Sequence, residues 1–200
     1  MKSLLPSLLI LISIFTVEAQ NSKKIQEIKD FQQTLNSEFA DPEESPLTAE
    51  DLKKFKELTF FEIDTNYVIE AEFVRTPSES PFAMPTTTNR TPIYVKYGKA
   101  YFKIKGKSYK LNIYQSQDLS TNPEYLDYLF IPFTDESNGH GSYPGGRYID
   151  FKIPTSNRIT LDFNKAYNPY CAYSGRYSCP IPPAENNLAV AIPVGVKYFK

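Results

Sequence analysis

The sequence has no tryptophan, two methionines, two cysteines and a single histidine, His140, and these scarcities exclude several kinds of site. A zinc centre built on three histidines cannot form from one. The 22 basic and 23 acidic residues nearly cancel, which leaves a net charge of -1 and no basic surplus of the kind that binding to nucleic-acid backbones requires. We therefore expect no nucleic-acid partner, and nothing in the composition predicts a cofactor.

Long apolar sequence is confined to the N-terminus. Lys2 precedes a run from Leu4 to Val17, which is shorter than the ~20 residues needed to span a bilayer. Small residues at Val17 and Ala19 stand where a signal peptidase reads. We expect residues 1–19 to be a signal peptide cleaved after Ala19. The mature chain is then exported to the periplasm or the extracellular space, with no transmembrane anchor.

Two helical patterns follow this segment. Apolar residues recur at helical spacing from Ser22 to Phe39, and Thr48 and Asp51 form the start signal of a short helix through Phe55. We expect residues 20–58 to be an N-terminal helical segment packed on a β domain of residues 59–200.

From Phe60 onward the apolar residues alternate, as in strands that are buried on one face. The 14 phenylalanines and 15 tyrosines favour the same structure. Strands are predicted at Tyr67–Phe73, Ile93–Tyr97, Ala100–Lys105, Ser108–Gln115, Tyr128–Phe133, Arg147–Ile153, Ile159–Phe163 and Leu188–Val194. Hairpin turns are predicted at Gly98-Lys99 and at Gly106-Lys107. The short connections predict a mainly β fold: an antiparallel β-sandwich or partly closed barrel with one or two short N-terminal helices.

Polar and turn-forming residues concentrate in two segments, Phe133–Arg147 and Leu161–Leu188. Their runs Tyr-Pro-Gly-Gly-Arg-Tyr, Asp-Phe-Asn-Lys-Ala-Tyr-Asn-Pro-Tyr-Cys-Ala-Tyr and Cys-Pro-Ile-Pro-Pro resemble a bacterial and archaeal family known as domain of unknown function 1684. The resemblance covers nearly all of the mature chain but implies no activity, because the family has none established. Where relatives usually end in a Gly-Glu pair, this chain has Gly195 and Val196, so a role for that carboxylate is absent here.

The resemblance and the residue types together give a set of ligand-binding candidates. Arg147 and Asp162 stand at predicted strand ends, where two interpretations stay open. In the first they form a structural clamp of bidentate hydrogen bonds. In the second Arg147 holds the carboxylate or phosphate of a ligand in a pocket. The candidates are Asp135, Tyr143, Arg147, Asp162, Asn164, Tyr167 and Asn168.

Cys171 and Cys179 are the only cysteines, and in an exported chain they are a disulfide candidate. A thiolate metal site that adds His140 is an alternative, although the spacing is not that of a zinc knuckle. Two free, buried thiols are a third.

These observations favour an exported, non-catalytic protein that binds a small molecule or a protein partner, or that has a structural role. The alternative is a hydrolase-like or metal-dependent enzyme that uses Asp135, Asp162 and His140. His140 lies between Gly139 and Gly141 in a predicted surface loop, and the sequence has no Gly-x-Ser-x-Gly elbow. No catalytic residue is therefore assigned, and we lean against an enzyme.

Overall fold

The computed structural model of the chain describes residues 5–198, with side chains described from residue 19 onward. Its helices are α1 (Leu5–Ala40) and α2 (Ala49–Lys54). Its strands are β1 (Val68–Arg75), β2 (Phe82–Ala83), β3 (Ile93–Ile104), β4 (Lys107–Ser116), β5 (Tyr128–Asp135), β6 (Arg147–Lys152), β7 (Arg158–Asp162) and β8 (Asn187–Leu188).

The strands form one curved, mainly antiparallel sheet in the order β6-β5-β4-β3-β1-β7, with β2 added to β3 and β8 added to β5. The sheet is a half-barrel whose two edges are β6 and β7. Tyr148 on β6 and Tyr167, which follows β7, bridge these edges by exchanging backbone hydrogen bonds of 2.9 and 3.0 Å. The predicted mainly β fold is confirmed, in the form of a partly closed barrel.

The long hairpin β3–β4 corrects one prediction and confirms another. A turn was predicted at Gly98-Lys99, but β3 runs through it as a strand of 12 residues. Gly98 lies instead at a β-bulge, where an added Cβ would be 2.4 Å from the Phe73 ring on β1. The predicted turn at Gly106 is confirmed, since Lys105 and Gly106 both have the positive φ of a tight hairpin.

Helix α1 contains the predicted Ser22–Phe39 segment but begins at Leu5, which makes it 36 residues long. Among its side chains from residue 19 onward, Ile28, Leu35 and Phe39 are buried. The expected cleavage site after Ala19 lies inside α1 of the uncut chain. Cleavage at this site stays a prediction. From residue 5 to residue 198, no helix combines the length and apolarity needed to cross a membrane.

Helix α2 begins as predicted. The Thr48 hydroxyl accepts from the backbone N–H of Asp51 at 3.1 Å and donates to its carboxylate at 2.7 Å. This local cap fixes the start of a helix that is too short to form alone.

The two faces of the sheet carry separate cores. The inner face is filled by aliphatic and phenylalanine side chains such as Leu111, Ile131 and Leu161, all fully buried. The outer face carries an aromatic layer around Tyr114 and Phe130. Residues on β5 alternate between these layers, so this strand is buried on both sides.

The predicted strand Leu188–Val194 is shortened to the two residues of β8. Beyond it the chain fills the half-barrel, where Ile192 and Val194 are fully buried. The Ile192 N–H donates to the carboxylate of Asp135 at 3.0 Å instead of to a strand, and Pro193 has no N–H. The segment therefore does not continue as a strand.

Candidate functional site

Asp135 and Arg147 form an ion pair that is sealed from solvent. Arg147 Nη2 lies 2.7 Å from Asp135 Oδ2, and both side chains have 0% exposure. The other carboxylate oxygen of Asp135 accepts from the N–H groups of Ser137 and Ile192, at 2.8 and 3.0 Å. Burial lowers the pKa of Arg147, and the Asp135 carboxylate opposes that shift. The pair joins the end of β5 to the start of β6.

Arg147 also holds the C-terminal segment in the half-barrel. Its two terminal nitrogens donate to the carbonyl oxygens of Ile192 and Val194, and one of them also donates to the hydroxyl of Ser137. With no exposed surface, the guanidinium has no access to a ligand. Of the two interpretations of this residue, the geometry is that of the clamp, with Asp135 as its carboxylate partner in place of Asp162.

Asp162 and Asn164 form a different local structure at the end of β7. Asp162 Oδ1 accepts from the backbone and the side-chain amide of Asn164, at 3.0 and 2.9 Å. The buried Asn164 amide also exchanges hydrogen bonds with the backbone of Asp64, at 3.0 and 3.1 Å. Burial raises the pKa of Asp162, opposed by Asn164. These side chains fasten the segment before β1 to the end of β7.

Asn168 and Tyr143 lie near the C-terminal segment. The buried Asn168 amide donates to the Tyr173 hydroxyl and to the Lys197 carbonyl, both at 3.1 Å. The Tyr143 ring packs edge to face on Tyr198, with centroids 4.9 Å apart. Both residues therefore take part in packing.

The two cysteines lie against each other as free thiols. The Cys171 N–H donates to Cys179 Sγ at 3.1 Å. The hydrogen bond from the Cys179 thiol lowers the pKa of Cys171 to about 6, and the same bond raises the pKa of Cys179. Cys179 is buried and Cys171 is half-buried. This contact leaves the disulfide a prediction.

The three residues of the enzyme alternative share no hydrogen bond with one another in the described part of the chain. Asp135 is sealed in its ion pair, Asp162 is bonded to Asn164, and His140 is exposed on a turn. Among residues whose side chains are described, no three His, Cys, Asp or Glu groups converge as they would around a metal ion.

An open cleft of about 440 Å³ lies on the outer face of the half-barrel, and we call it the tyrosine cleft. Seven of the 15 tyrosines line it, together with one phenylalanine and one carboxylate. Leu119 and the 178–180 segment complete the wall. The aromatic and acidic lining residues are Tyr94, Tyr125, Tyr128, Phe130, Tyr148, Asp150, Tyr167, Tyr170 and Tyr177.

Asp150 gives the tyrosine cleft its one carboxylate. Its Oδ1 accepts from the hydroxyls of Tyr128 and Tyr167, at 2.7 and 2.6 Å. The residue is exposed to solvent, but the surrounding protein raises its pKa by desolvation, and the two hydroxyls oppose that shift. No described basic side chain forms an ion pair with it. The carboxylate is therefore accessible and uncompensated.

Of this lining, the sequence singled out Tyr167 as a ligand-binding candidate and Cys179 as a disulfide candidate. The signal that could have found the others is the alternation on two paired strands. On β5, Tyr128 and Phe130 alternate with core residues, and Phe130 lies directly opposite Asp150 of β6. Asp150 of β6 thus faces an aromatic residue of β5, a strand that is buried on both faces. This pattern indicates an outer face that other residues cover except near the carboxylate.

A second cleft, of about 620 Å³, lies between α1 and the edges of the sheet, and we call it the α1 cleft. Its lining mixes both charges, with Lys23 and Lys24 of α1 above Glu70 and Asp162 of the sheet. Asp150 borders this space as well.

Comparison with known proteins gives a family and a fold relative. The family model described as "Protein of unknown function (DUF1684)" matches residues 53–197. The solution NMR structure of an uncharacterized protein of Haloarcula marismortui is similar to this chain, with a TM-score of 0.70 and 29% sequence identity. The match covers 90% of this chain and 97% of that one. No curated protein matches the chain.

Proposed function

The chain belongs to the family of proteins of unknown function DUF1684, and because that family supplies no activity, we propose a function from the site itself. The tyrosine cleft binds a small molecule, and the protein does not catalyse a reaction. The observation that carries this proposal is the accessible Asp150 carboxylate, set among eight aromatic side chains without a basic partner. Ligand sites are typically concave and largely apolar, with a few polar groups that fix orientation.

The cleft walls support binding because they are ordered by contacts among themselves. Tyr148 packs edge to face on Phe130 and on Tyr167, with centroids 4.6 and 5.9 Å apart. Tyr170 and Tyr177 pack in the same manner at 5.3 Å. A ligand would therefore meet a largely preformed surface and lose little free energy in ordering it.

The non-catalytic assignment is supported by the arrangement of the acid and base candidates. Asp135 has no access to solvent, and His140 is exposed on a turn away from any hydrogen bond with a carboxylate of the enzyme alternative. General acid–base chemistry needs such groups within reach of a common substrate.

The binding proposal is tested by NMR on the full chain with labelled tyrosine rings and a library of small metabolites. We expect at least one compound to shift the Tyr128 and Tyr167 resonances in a saturable manner. Tyr101, which is 42% exposed on β3 outside the cleft, is the internal control and should not move. A library in which no compound shifts the cleft tyrosines contradicts the proposal.

We further propose that the chain is exported and acts outside the cytoplasm. The basic residue, apolar run and small residues of positions 1–19 support this. Intact-mass analysis of the protein from fractionated native cells should find a chain that begins at Gln20 in the exported fraction. A full-length chain confined to the cytosol overturns this proposal.

A further inference from the structure

We propose that the tyrosine cleft selects an organic cation whose charge lies on a methylated nitrogen, with quaternary ammonium compounds as the representative class. This inference rests on the small-molecule binding proposed above and names the ligand chemistry of the same site.

The first support is the combination of aromatic rings and one anionic group. The face of an aromatic ring attracts cations, and aromatic cages are the recurrent solution for quaternary ammonium groups. Neighbouring rings in the tyrosine cleft meet edge to face, as Tyr125 and Tyr128 do at an interplanar angle of 83°. Adjacent rings therefore turn their faces in different directions, as the walls of a cage do.

The second support is the charge of Asp150, with which no basic side chain among the described residues forms an ion pair. Its contacts are the hydroxyls of Tyr128 and Tyr167 on a single oxygen, Oδ1, which leaves Oδ2 free for electrostatic contact with a ligand. A cation in the cleft would supply the counter-charge that the fold omits.

A neighbouring carboxylate adds to the negative charge that would attract a cation. Glu38 of α1 lies close enough that Asp150, after burial and Glu44, contributes to raising its pKa. Arg90 donates to the carbonyl oxygen of Ser178. Arg176 donates to the carbonyl oxygen of Ser45 and lies over the Tyr177 ring, 4.9 Å from its centroid. Neither arginine lines the cleft.

Lysines approach Asp150 from the opposite side. Lys23, Lys24 and Lys165 line the α1 cleft, which Asp150 also borders. None of these three ammonium groups comes within ion-pair distance of the carboxylate in the described structure. The charge facing the tyrosine cleft is therefore negative.

The third support is that several hydroxyls of the lining are already engaged, which disfavours ligands with many hydrogen-bond donors, such as primary ammonium ions and sugars. The hydroxyls of Tyr128 and Tyr167 donate to Asp150, and the hydroxyl of Tyr148 donates to the carbonyl of Pro180. The Ser178 hydroxyl contacts Thr86 and Thr88. A primary ammonium would have to exchange its bonds to water for bonds to Asp150 Oδ2 and to tyrosine hydroxyls, and any N–H left unpaired is costly. A quaternary ammonium has no N–H donor, and a partly methylated ammonium has fewer N–H donors than a primary one.

The test compares three probes that share the same two-carbon alcohol chain, on the full chain of the protein. They are choline, its uncharged analogue in which a carbon atom replaces the nitrogen, and ethanolamine, which has a primary ammonium. Titrations are followed by the Tyr128 and Tyr167 ring resonances. We expect choline to bind at least about tenfold more tightly than either of the others, as a cation–π contribution of ordinary size predicts.

Two matched variants locate the effect. Asp150→Asn should weaken choline binding at least about tenfold, which corresponds to the loss of one close charge. Asp30→Asn removes the same charge from an exposed position on α1 outside the cleft, and it should leave the affinity unchanged. An unchanged Tyr101 resonance in both variants shows that the fold is retained.

Three outcomes overturn the inference on ligand class while the binding proposal stands. The uncharged analogue binds as tightly as choline, or Asp150→Asn binds choline normally, or a sugar in the library shifts the cleft tyrosines and choline does not. If no compound of any class shifts them, the binding proposal itself fails.

Discussion

Two carboxylates of this protein lie within one strand pair and have opposite surroundings. Asp135 ends β5 and is sealed against Arg147, which begins β6. Asp150 lies on the same β6 as Arg147 but on the other face of the sheet, where it is exposed between two tyrosine hydroxyls. Their partners define different roles: the first holds the half-barrel together, and the second is the group that we propose to contact a ligand.

Neither a charged residue nor a motif that resembles a family pattern identifies a binding site by itself. The Gly-Gly-Arg run places a guanidinium whose two terminal nitrogens donate to oxygens of three residues in two segments, Asp135 at the end of β5 and Ile192 and Val194 near the C-terminus. The tyrosine cleft, in contrast, is built from residues that individually resemble core aromatics. Accessibility and missing counter-charge distinguish the two regions.

The largest effect is expected from breaking the sealed pair. Asp135→Asn leaves the Arg147 charge buried without its counter-charge, which should lower the free energy of unfolding by about 3–5 kcal/mol. Urea denaturation followed by circular dichroism measures this loss. A change below about 1 kcal/mol would show that the pair does not hold the fold.

A somewhat smaller loss is expected at Asn186, a fully buried residue between β4 and β5. Its amide accepts from the Asn112 N–H and donates to the carbonyls of Asn112 and Pro132, at 2.9, 2.9 and 2.7 Å. Pro132 has no N–H to pair with β4, so this side chain joins the strands where the ladder cannot.

Asn186→Ala should therefore lower the free energy of unfolding by about 2–4 kcal/mol, because it leaves buried backbone groups unpaired. The neighbouring Asn187 is exposed and hydrogen-bonds Thr134, so Asn187→Ala is the matched control. We expect the control to change stability by less than about 1 kcal/mol in the same urea experiment. Equal losses for the two variants would refute the bridging role.

Local features of the fold could be read from the sequence because their causes are local. The Thr48 cap and the Gly106 turn depend on a few adjacent residues, and both are confirmed. The turn at Gly98 was wrong because the need for glycine there comes from Phe73 on a neighbouring strand. Single-sequence patterns do not reveal such a contact.

The site was harder to predict than the fold for the same reason. The clamp interpretation paired Arg147 with Asp162 because both stand at strand ends, but which carboxylate faces the guanidinium depends on how the strands curve. The tyrosine cleft gathers Tyr94, Tyr128, Asp150 and Tyr177 from separate segments. Each of these residues has an adequate explanation in its own segment, so only the three-dimensional arrangement identifies the group.

Cys171 and Cys179 flank the loop that contains Tyr177 and follows Tyr170, and both tyrosines line the tyrosine cleft. A bond between the two cysteines would therefore make this wall of the cleft more rigid. If the chain is exported, we expect a Cys171–Cys179 disulfide, which should stabilise the fold by about 2–3 kcal/mol for a loop of this length. Mass analysis after iodoacetamide treatment should find alkylated cysteines only when a reductant is added first.

The double variant Cys171→Ser with Cys179→Ser is the control, because its unfolding should not respond to reductant. Two thiols that alkylate without reduction in protein from the exported fraction would contradict the disulfide. One zinc ion per chain with reduced thiols would instead support the metal alternative.

The smallest effect on the free energy of unfolding is expected from Asp150→Asn. This is the substitution proposed for Asp135, so the two variants contrast the two carboxylates directly. Burial raises the pKa of Asp150 above its ordinary value of 3.8, so folding favours the protonated carboxyl and disfavours the ionised one. At neutral pH the ionised group therefore detracts from stability, and Asp150→Asn should be neutral or more stable by up to about 0.5 kcal/mol, a range typical of exposed positions. Any advantage should fade as the pH falls through the raised pKa and disappear below 3.8, where the wild-type carboxyl is protonated in both states. Urea denaturation at several pH values measures this difference. A loss above about 1 kcal/mol at neutral pH would place Asp150 with Asp135 as a structural residue and remove the contrast on which the binding site is argued.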